Sequence, residues 1–559
     1  MSSFYFEKFE LRPTERKLFN DGKDIALGSR AFDMLCFLVE NRQRFLSKAE
    51  ILDAIWPDIA VEESNLTVQI SALRKALGAK ALVTIPGRGY QFVLPVETGS
   101  VEAIPMAEPA LATQGFTVLV LPFANTSNDP EQEYFSDGIT EDIITDLSKV
   151  SALSVISRST AFTFKGRAID VVELAKQKNV SHVVEGSVRK SGGHVRISAQ
   201  LVDGKSGHQL WADRFDRELT NIFALQDEIA KAIVSALSLK LVPAEQNAIK
   251  SRPTDNPQAY EIYLQARYHS LRLDRRNYAI AGRLAQQALD IDPNYDRAWA
   301  LLALSQAGLY GLTTADDYGL EAAERALALN PNLADALAAK ARVLAGIGDF
   351  DEALELHARS LQLDPDSHDV RFLYGRTCFQ AGRHNEAIEH GEYATKLSET
   401  ALAAVTNLSM SYRAIGRLDL AHDAQVRTVE RVERAIAENA FDTYALICGV
   451  NALATLGEAE KAKQWAQRVK AIDPEDPSVD YNIACAMATL GETDEALDVL
   501  EDCMPRVNAI VFYHWMKQDT DLDSLRDLPR FHTIMQDIEA RALALKAKTG
   551  DSPAPETEQ

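Results

Sequence analysis

The spacing of apolar side chains changes character twice along this chain. Over residues 4–27, Phe4, Phe6, Phe9 and Leu11 alternate with polar neighbours ahead of a turn at Asn20-Asp21-Gly22, the pattern of short strands and a hairpin. Three helical stretches follow. Residues 29–41 carry Phe32, Leu35, Cys36 and Leu38 on one side; residues 47–56 open on Ser47 as N-cap, with Glu50 three residues later, and are closed by Pro57; residues 62–77 form the third. Leu82-Val83-Thr84-Ile85 and Tyr90-Gln91-Phe92-Val93 then flank the turn Pro86-Gly87-Arg88-Gly89. A small sheet, three helices and a closing hairpin describe a winged helix-turn-helix over residues 1–95.

The period is lost over residues 96–115, whose proline, glycine, alanine and glutamate content is that of a linker. Thr117 to Phe123 is a short apolar run with the length of a buried strand, followed by a helix at 137–150, a strand at 153–156 and a helix at 171–178. Three strands at 182–188, 195–202 and 209–215, then a helix at 222–239, complete an α/β domain assigned to 116–248. Gly192-Gly193-His194 joins two strands and precedes no helix, so it reads as a hairpin turn rather than a phosphate loop.

From residue 258 to 545 the chain repeats itself. Gly348, Gly382, Gly416, Gly457 and Gly491 are spaced by 34, 34, 41 and 34 residues, and Ala353, Ala387, Ala421, Ala462 and Ala496 keep the same intervals. Ala341, Gly375, Ser409 and Ala484 hold an equivalent small position in the first helix of four units. Small side chains belong where two helices cross closely, and Pro293, Pro331, Pro365 and Pro474 end the units. The pattern predicts six or seven stacked helix pairs, with degenerate units filling 258–330 and seven extra residues lengthening the pair between Gly416 and Gly457. No unit buries its apolar face alone, so the array forms an α-solenoid with a concave surface suited to a protein or peptide partner. Residues 546–559 read as a disordered tail. The fold class is multidomain: α+β first, then all-α.

Composition and charge add further constraints. At 559 residues, with 46% hydrophobic and 25% charged side chains, the chain accommodates several cores and is not a disordered polymer. No apolar run reaches the ~18–20 residues of a membrane span and the first residues lack a secretion signal, so a cytoplasmic protein without membrane contact is expected. Cys36, Cys378, Cys448, Cys485 and Cys503 form no C-x-x-C pair and are expected to be reduced. The net charge of −22 arises wholly beyond residue 100, because residues 1–100 hold 13 basic and 13 acidic side chains. Ser64 to Leu94 contains Arg74, Lys75, Lys80 and Arg88 and no carboxylate. A local cationic surface on an acidic protein suits phosphate, although a solvated helix face carries similar charge.

On the helix at 62–77, Leu66, Ile70, Leu73 and Leu77 share one face and form its core side. The other side carries Ser64, Asn65, Val68, Ser71, Ala72 and Lys75, flanked by Thr67 and Arg74. It is small, polar and cationic at one end, a shape that enters a ~12 Å major groove. Together with Trp56-Pro57, Leu73-Arg74-Lys75-Ala76-Leu77-Gly78 and Ile85-Pro86-Gly87-Arg88-Gly89-Tyr90, these residues resemble the C-terminal effector domain of OmpR/PhoB-type transcription regulators over 4–95. The resemblance implies that the third helix reads double-stranded DNA, that Arg88 reaches the adjacent minor groove, and that Asp58, Ile59, Ala60, Val61, Glu62 and Glu63 form a loop contacting RNA polymerase. Ser71 and Ala72 stand where family members often hold arginine, and Pro86 where a basic residue is common. With so few cations, a homodimer on DNA is expected. Phe135-Ser136-Asp137-Gly138, Glu185-Gly186-Ser187-Val188-Arg189 and Trp211-Ala212-Asp213-Arg214-Phe215-Asp216 resemble the TolB-like domain, and the 34-residue unit resembles the tetratricopeptide repeat (TPR).

The chain has no G-x-x-x-x-G-K-[ST], G-x-S-x-G, H-E-x-x-H or C-x-x-C, and its eleven histidines lack metal-ligand spacing. No catalytic residue, metal or cofactor is expected, and no receiver domain, since the winged helix begins at residue 4. The expected function is a one-component, sequence-specific DNA-binding transcription regulator with a TPR interaction and sensing region. The alternative is a TPR scaffold whose winged helix binds protein rather than DNA. Nucleotide-cyclase chemistry is suggested only by the domains that TolB-like modules accompany.

Overall fold

The structure, a computed structural model, describes residues 3–6, 8–12, 17–20, 23–25, 29–40, 46–55, 66, 69–70, 73–74, 76–77, 79–85, 89–92, 94, 97–99, 116–127, 129–167, 169–250, 252–314, 317–398 and 402–550. Two compact units result, Met1–Ala112 and Thr113–Gln559.

In the first unit β1 (Ser3–Phe6), β2 (Phe9–Arg12), β3 (Lys17–Asn20) and β4 (Lys23–Asp24) form an antiparallel meander, with Asn20 opposite Lys23. β5 (Leu46–Ser47) separates the helices α1 (Ser29–Glu40) and α2 (Lys48–Ile55). The backbone N–H of Ser47 donates to Glu50 Oε2 at 2.8 Å and that of Glu50 to Ser47 Oγ at 3.2 Å, the reciprocal cap that the sequence predicts. β6 (Leu82–Ile85) and β7 (Gly89–Phe92) make the closing hairpin, and β7 also pairs with β5. The structure differs from expectation at β8 (Glu97–Gly99), which lies in the stretch read as linker and pairs with β1 at the sheet edge. A three-residue polar edge strand is held by its backbone and leaves no apolar alternation to read. Phe6, Leu11, Leu18, Leu35, Leu66 and Leu73 form the core, and Phe6 meets Phe92 edge-on at 5.1 Å.

The second unit opens with a sheet of β9 (Phe116–Val120), β10 (Ala124–Asn125), β11 (Leu153–Val155), β12 (His182–Ser191), β13 (His194–Asp203) and β14 (Gln209–Glu218), in the order β11-β9-β12-β13-β14 with β10 beside β12. The first three lie parallel to their neighbours and β12 to β14 form an antiparallel meander. Ser191 faces His194 across Gly192, whose φ is 56°, so the glycine pair is a hairpin turn. Gly186 in β12 has no alternative: a Cβ there would stand 2.5 Å from the Phe123 ring.

Seven antiparallel helix pairs follow between Pro257 and Cys503. Gly348, Gly382, Gly416, Gly457 and Gly491 all have φ between 74° and 83°, the left-handed turn between paired helices, while Ala353, Ala387, Ala421, Ala462 and Ala496 are buried at the crossings. The small position faces them directly, since Ser409 Oγ donates to the Ala421 carbonyl at 3.3 Å. The helix Leu418–Glu438 has 21 residues where Phe350–Leu363, His384–Leu397 and Ala459–Ile472 have 14, so the seven extra residues add two turns to one helix. Helix Pro529–Gly550 runs into the segment expected to be a tail; residues 551–559 lie outside the described residues.

The expected boundary between 248 and 258 does not divide the core. One cluster of buried side chains runs from Val118 in the sheet through Ile143 and Ile229 to Tyr260, Tyr263, Tyr295 and Ala339 in the repeats. At the other end, helix Ala509–Gln518 reaches back to helices Ala334–Gly346 and His368–Gln380. Trp515 meets Phe379 at 4.9 Å, His514 meets Phe350 at 4.9 Å, and Arg413 pairs with Asp521 while donating to the Thr520 carbonyl at 2.9 Å. The solenoid thereby closes around a central chamber lined from Tyr278 to Trp515.

Candidate functional site

The third helix of the first unit is described at Leu66, Gln69, Ile70, Leu73, Arg74, Ala76 and Leu77. Leu66, Ile70, Leu73 and Leu77 are all buried, as the helical periodicity predicts. Arg74 is half-buried and its Nη2 donates to the Leu82 carbonyl at 2.9 Å, which ties this helix to the first strand of the wing. Lys80, on the short turn before that strand, is exposed. Ser64, Asn65, Thr67, Val68, Ser71, Ala72, Lys75 and Arg88, and the loop Asp58, Ile59, Ala60, Val61, Glu62 and Glu63, lie outside the described residues.

In the second unit an ionic seam joins the sheet layer to the repeats. Glu141, on helix Glu133–Ser148, meets Arg158 at 2.7 Å and Arg267 at 3.4 Å, and Arg267 meets Asp369 at 3.5 Å. Burial alone would push Glu141 up, but Arg267, Arg158 and Arg297 outweigh it and hold the carboxyl below its usual range. Next to it Asp142 accepts hydrogen bonds from the Tyr260 hydroxyl and, at 2.7 Å, from Gln226 Nε2. Burial there wins over Arg297 and Tyr260, and the carboxyl is pushed up to about 6.

The central chamber holds residues that sequence reading did not single out. Arg342 and Arg376 line it from successive repeats, together with Tyr278, Phe372, Tyr444 and Trp515. A signal for them exists in the sequence: Gly308, Arg342, Arg376 and Met410 stand 34 residues apart, one per unit, and all four line the chamber.

Comparison with known proteins bears on each part. Residues 22–92 match the family described as "Transcriptional regulatory protein, C terminal". The phosphate regulon regulatory protein PhoB of Pseudomonas aeruginosa is 33% identical over 86 residues, 15% of this chain and 38% of that protein. The first unit is an OmpR/PhoB-type winged helix. The buried Leu66, Ile70, Leu73 and Leu77 are thus the inner face of that winged helix, and Arg74 ties its flank to the wing. Residues 114–232, which span the sheet layer, match the family described as "HilA/YgeH-like transcriptional regulator, second domain". Residues 320–392, in the TPR-like repeats, match that described as "Anaphase-promoting complex, cyclosome, subunit 3". The transcriptional regulator HilA of Salmonella typhi is 24% identical over 430 residues, 73% of each chain, so its likeness extends well beyond the winged helix. A protein of Rhizobium meliloti named putative adenylate cyclase 3 is 45% identical over 188 residues, 34% of this chain, and the match spans about a third (32%) of that relative's length.

Proposed function

We propose that this chain regulates transcription by binding promoter DNA through its winged helix, with the repeat region contacting a protein partner. The observation that carries the reading is the inward burial of Leu66, Ile70, Leu73 and Leu77 in an OmpR/PhoB-type unit, because a helix anchored along one face offers the opposite face to a ligand. In this reading Ser64, Asn65, Thr67, Val68, Ser71, Ala72 and Lys75 enter the major groove, Arg74 braces the helix and meets phosphate, and Arg88 enters the minor groove. The loop 58–63 touches RNA polymerase, and two copies bind together because four cations between Ser64 and Leu94 make a weak single footprint. Regulation of this kind takes place in the cytoplasm and needs no catalysis; no described helix is long and apolar enough to cross a membrane.

The test is retardation of promoter fragments recovered by genome-wide footprinting of the full chain. Lys75→Ala with Arg88→Ala, and the triple variant adding Arg74→Ala, are expected to abolish retardation at moderate salt. The double variant separates DNA contact from the bracing that Arg74 gives through Leu82. Unchanged retardation in both overturns the assigned face. Absence of any enriched site, with stoichiometric capture of a defined protein, would favour the scaffold reading.

A further inference from the structure

Among the described residues, the Arg342 and Arg376 guanidinium groups of the central chamber form no ion pair. Arg342, on helix Ala334–Gly346, is 6% exposed. Its Nη1, and the Nε of Arg376 on helix His368–Gln380, make no hydrogen bond among the described residues. The fold makes room for them. Gly311 lies beneath Arg342, where a Cβ would stand 3.3 Å from Nη2, and a Cβ at Gly308 would strike the Tyr278 ring at 2.7 Å.

The chamber's carboxylates are committed elsewhere. Asp274 caps helix Arg275–Ile291 and accepts from the Asn277 side chain, Asp519 accepts from the Tyr481 hydroxyl at 2.6 Å, and Asp521 pairs with Arg413. Burial, and then the neighbouring Arg376, pull Arg342 down to about 10, and burial also lowers Arg376. An uncompensated buried cation opposes folding, and here Arg342 is buried while Arg376, half-buried, stands at the same point of the next repeat. Positions that oppose folding are characteristic of binding sites. The Arg376 guanidinium lies 4.6 Å from the Trp515 ring centre, so one cation already meets an aromatic face of the returning C-terminal helix.

We propose that the chamber binds a small organic anion, its carboxylate or phosphoryl head held between Arg342 and Arg376 and its apolar body against Phe372 and Tyr444. The planar guanidinium fork matches the oxygens of either head. The space is of the right order: the chamber of about 150 Å³ adjoins a second compartment of about 310 Å³, and Tyr278, Phe372 and Tyr444 belong to both. An anion seated there bridges the middle repeats and helix Ala509–Gln518, the contact that closes the solenoid. This site goes beyond the DNA-binding reading and is independent of it.

The experiment uses the full chain, with thermal unfolding and isothermal titration against benzoate, phenyl phosphate and inorganic phosphate at ionic strength matched with sodium chloride. Benzoate or phenyl phosphate is expected to bind saturably and raise the unfolding midpoint. Response to benzoate alone assigns a carboxylate head, response to the phosphate probes alone a phosphoryl head, and either supports the site. Arg342→Met and Arg376→Met are expected to weaken binding at least about tenfold, and Arg342→Met also to raise the midpoint of the ligand-free protein, since it removes a buried cation with no ion pair among the described residues. Arg342→Lys keeps the charge without the fork, so it reports on binding even if a methionine variant fails to fold. Promoter retardation by the ligand-free protein is expected to be unchanged in all three, which keeps failure here distinct from failure of the DNA reading. No binding by any probe, or equal affinity in wild type and the arginine variants, overturns the proposal.

Discussion

Gly416 and Gly449 are glycines for different reasons, and the difference is measurable. Gly416 has φ 77° with nothing within 4 Å of a prospective Cβ, so Gly416→Ala is expected to cost only the left-handed backbone penalty, about 1 kcal/mol. A Cβ at Gly449 would stand 2.3 Å from the Trp465 ring, and Gly449→Ala is expected to cost about 2–3 kcal/mol through overpacking. Urea denaturation of the two variants ranks them, and equal losses would contradict the assignment. Gly416 was legible because it recurs with the period; Gly449 was not, because its neighbour comes from another helix. The same distinction separates the arginines, since nothing in a lone sequence position says whether Arg342 faces solvent or a chamber. At the ionic seam, Arg267→Met leaves Glu141 and Asp369 short of a counter-charge and is expected to cost about 3–5 kcal/mol. Asp142 behaves oppositely. Its folded value of about 6 exceeds the ordinary 3.8, so the folded state holds the proton more tightly. That contribution is full below about pH 4 and is lost as pH rises through about 6. Asp142→Asn is therefore expected to remove a downward slope of stability between about pH 4 and 7, on the order of 2–3 kcal/mol, which denaturation at several pH values would detect.

Elements were legible where local chemistry and periodicity agreed. Ser47 and Glu50 predicted a capped start for α2, and the two reciprocal hydrogen bonds are present. Ser47→Ala is expected to cost about 1 kcal/mol and to speed amide exchange across Lys48–Ile55 more than across α1. Uniform exchange over both helices would mean the cap is not what holds α2. The insertion between Gly416 and Gly457 was legible in length, and the structure puts all of it into Leu418–Glu438. Three features were hidden. β8 is too short and polar to show a period, the final helix continues past the point where its charged sequence looks like a tail, and the return of Ala509–Gln518 onto earlier repeats is a contact over more than a hundred residues. On the third helix the inner face was fully readable from Leu66, Ile70, Leu73 and Leu77, whereas the bracing bond from Arg74 to Leu82 depends on how the wing folds back.

For the whole molecule, charge segregation sets the expected behaviour on DNA. Residues 1–100 are balanced while the remainder carries the entire net charge of −22, so affinity must come from a handful of phosphate contacts working against an acidic body. With four cations in the stretch from Ser64 to Leu94, log K is expected to fall against log salt with a slope of about −4 per winged helix, and about twice that for a pair. Filter binding between about 50 and 200 mM salt measures it, and a flat response would show that phosphate contacts are not the source of affinity. The tyrosines at 260, 263 and 295, which complete the interior beneath the sheet, bear on the chain's history as well as its handling. A gene fragment ending near residue 250 would expose an unfinished greasy floor, so recombination near that point would hand each descendant only part of one shared interior.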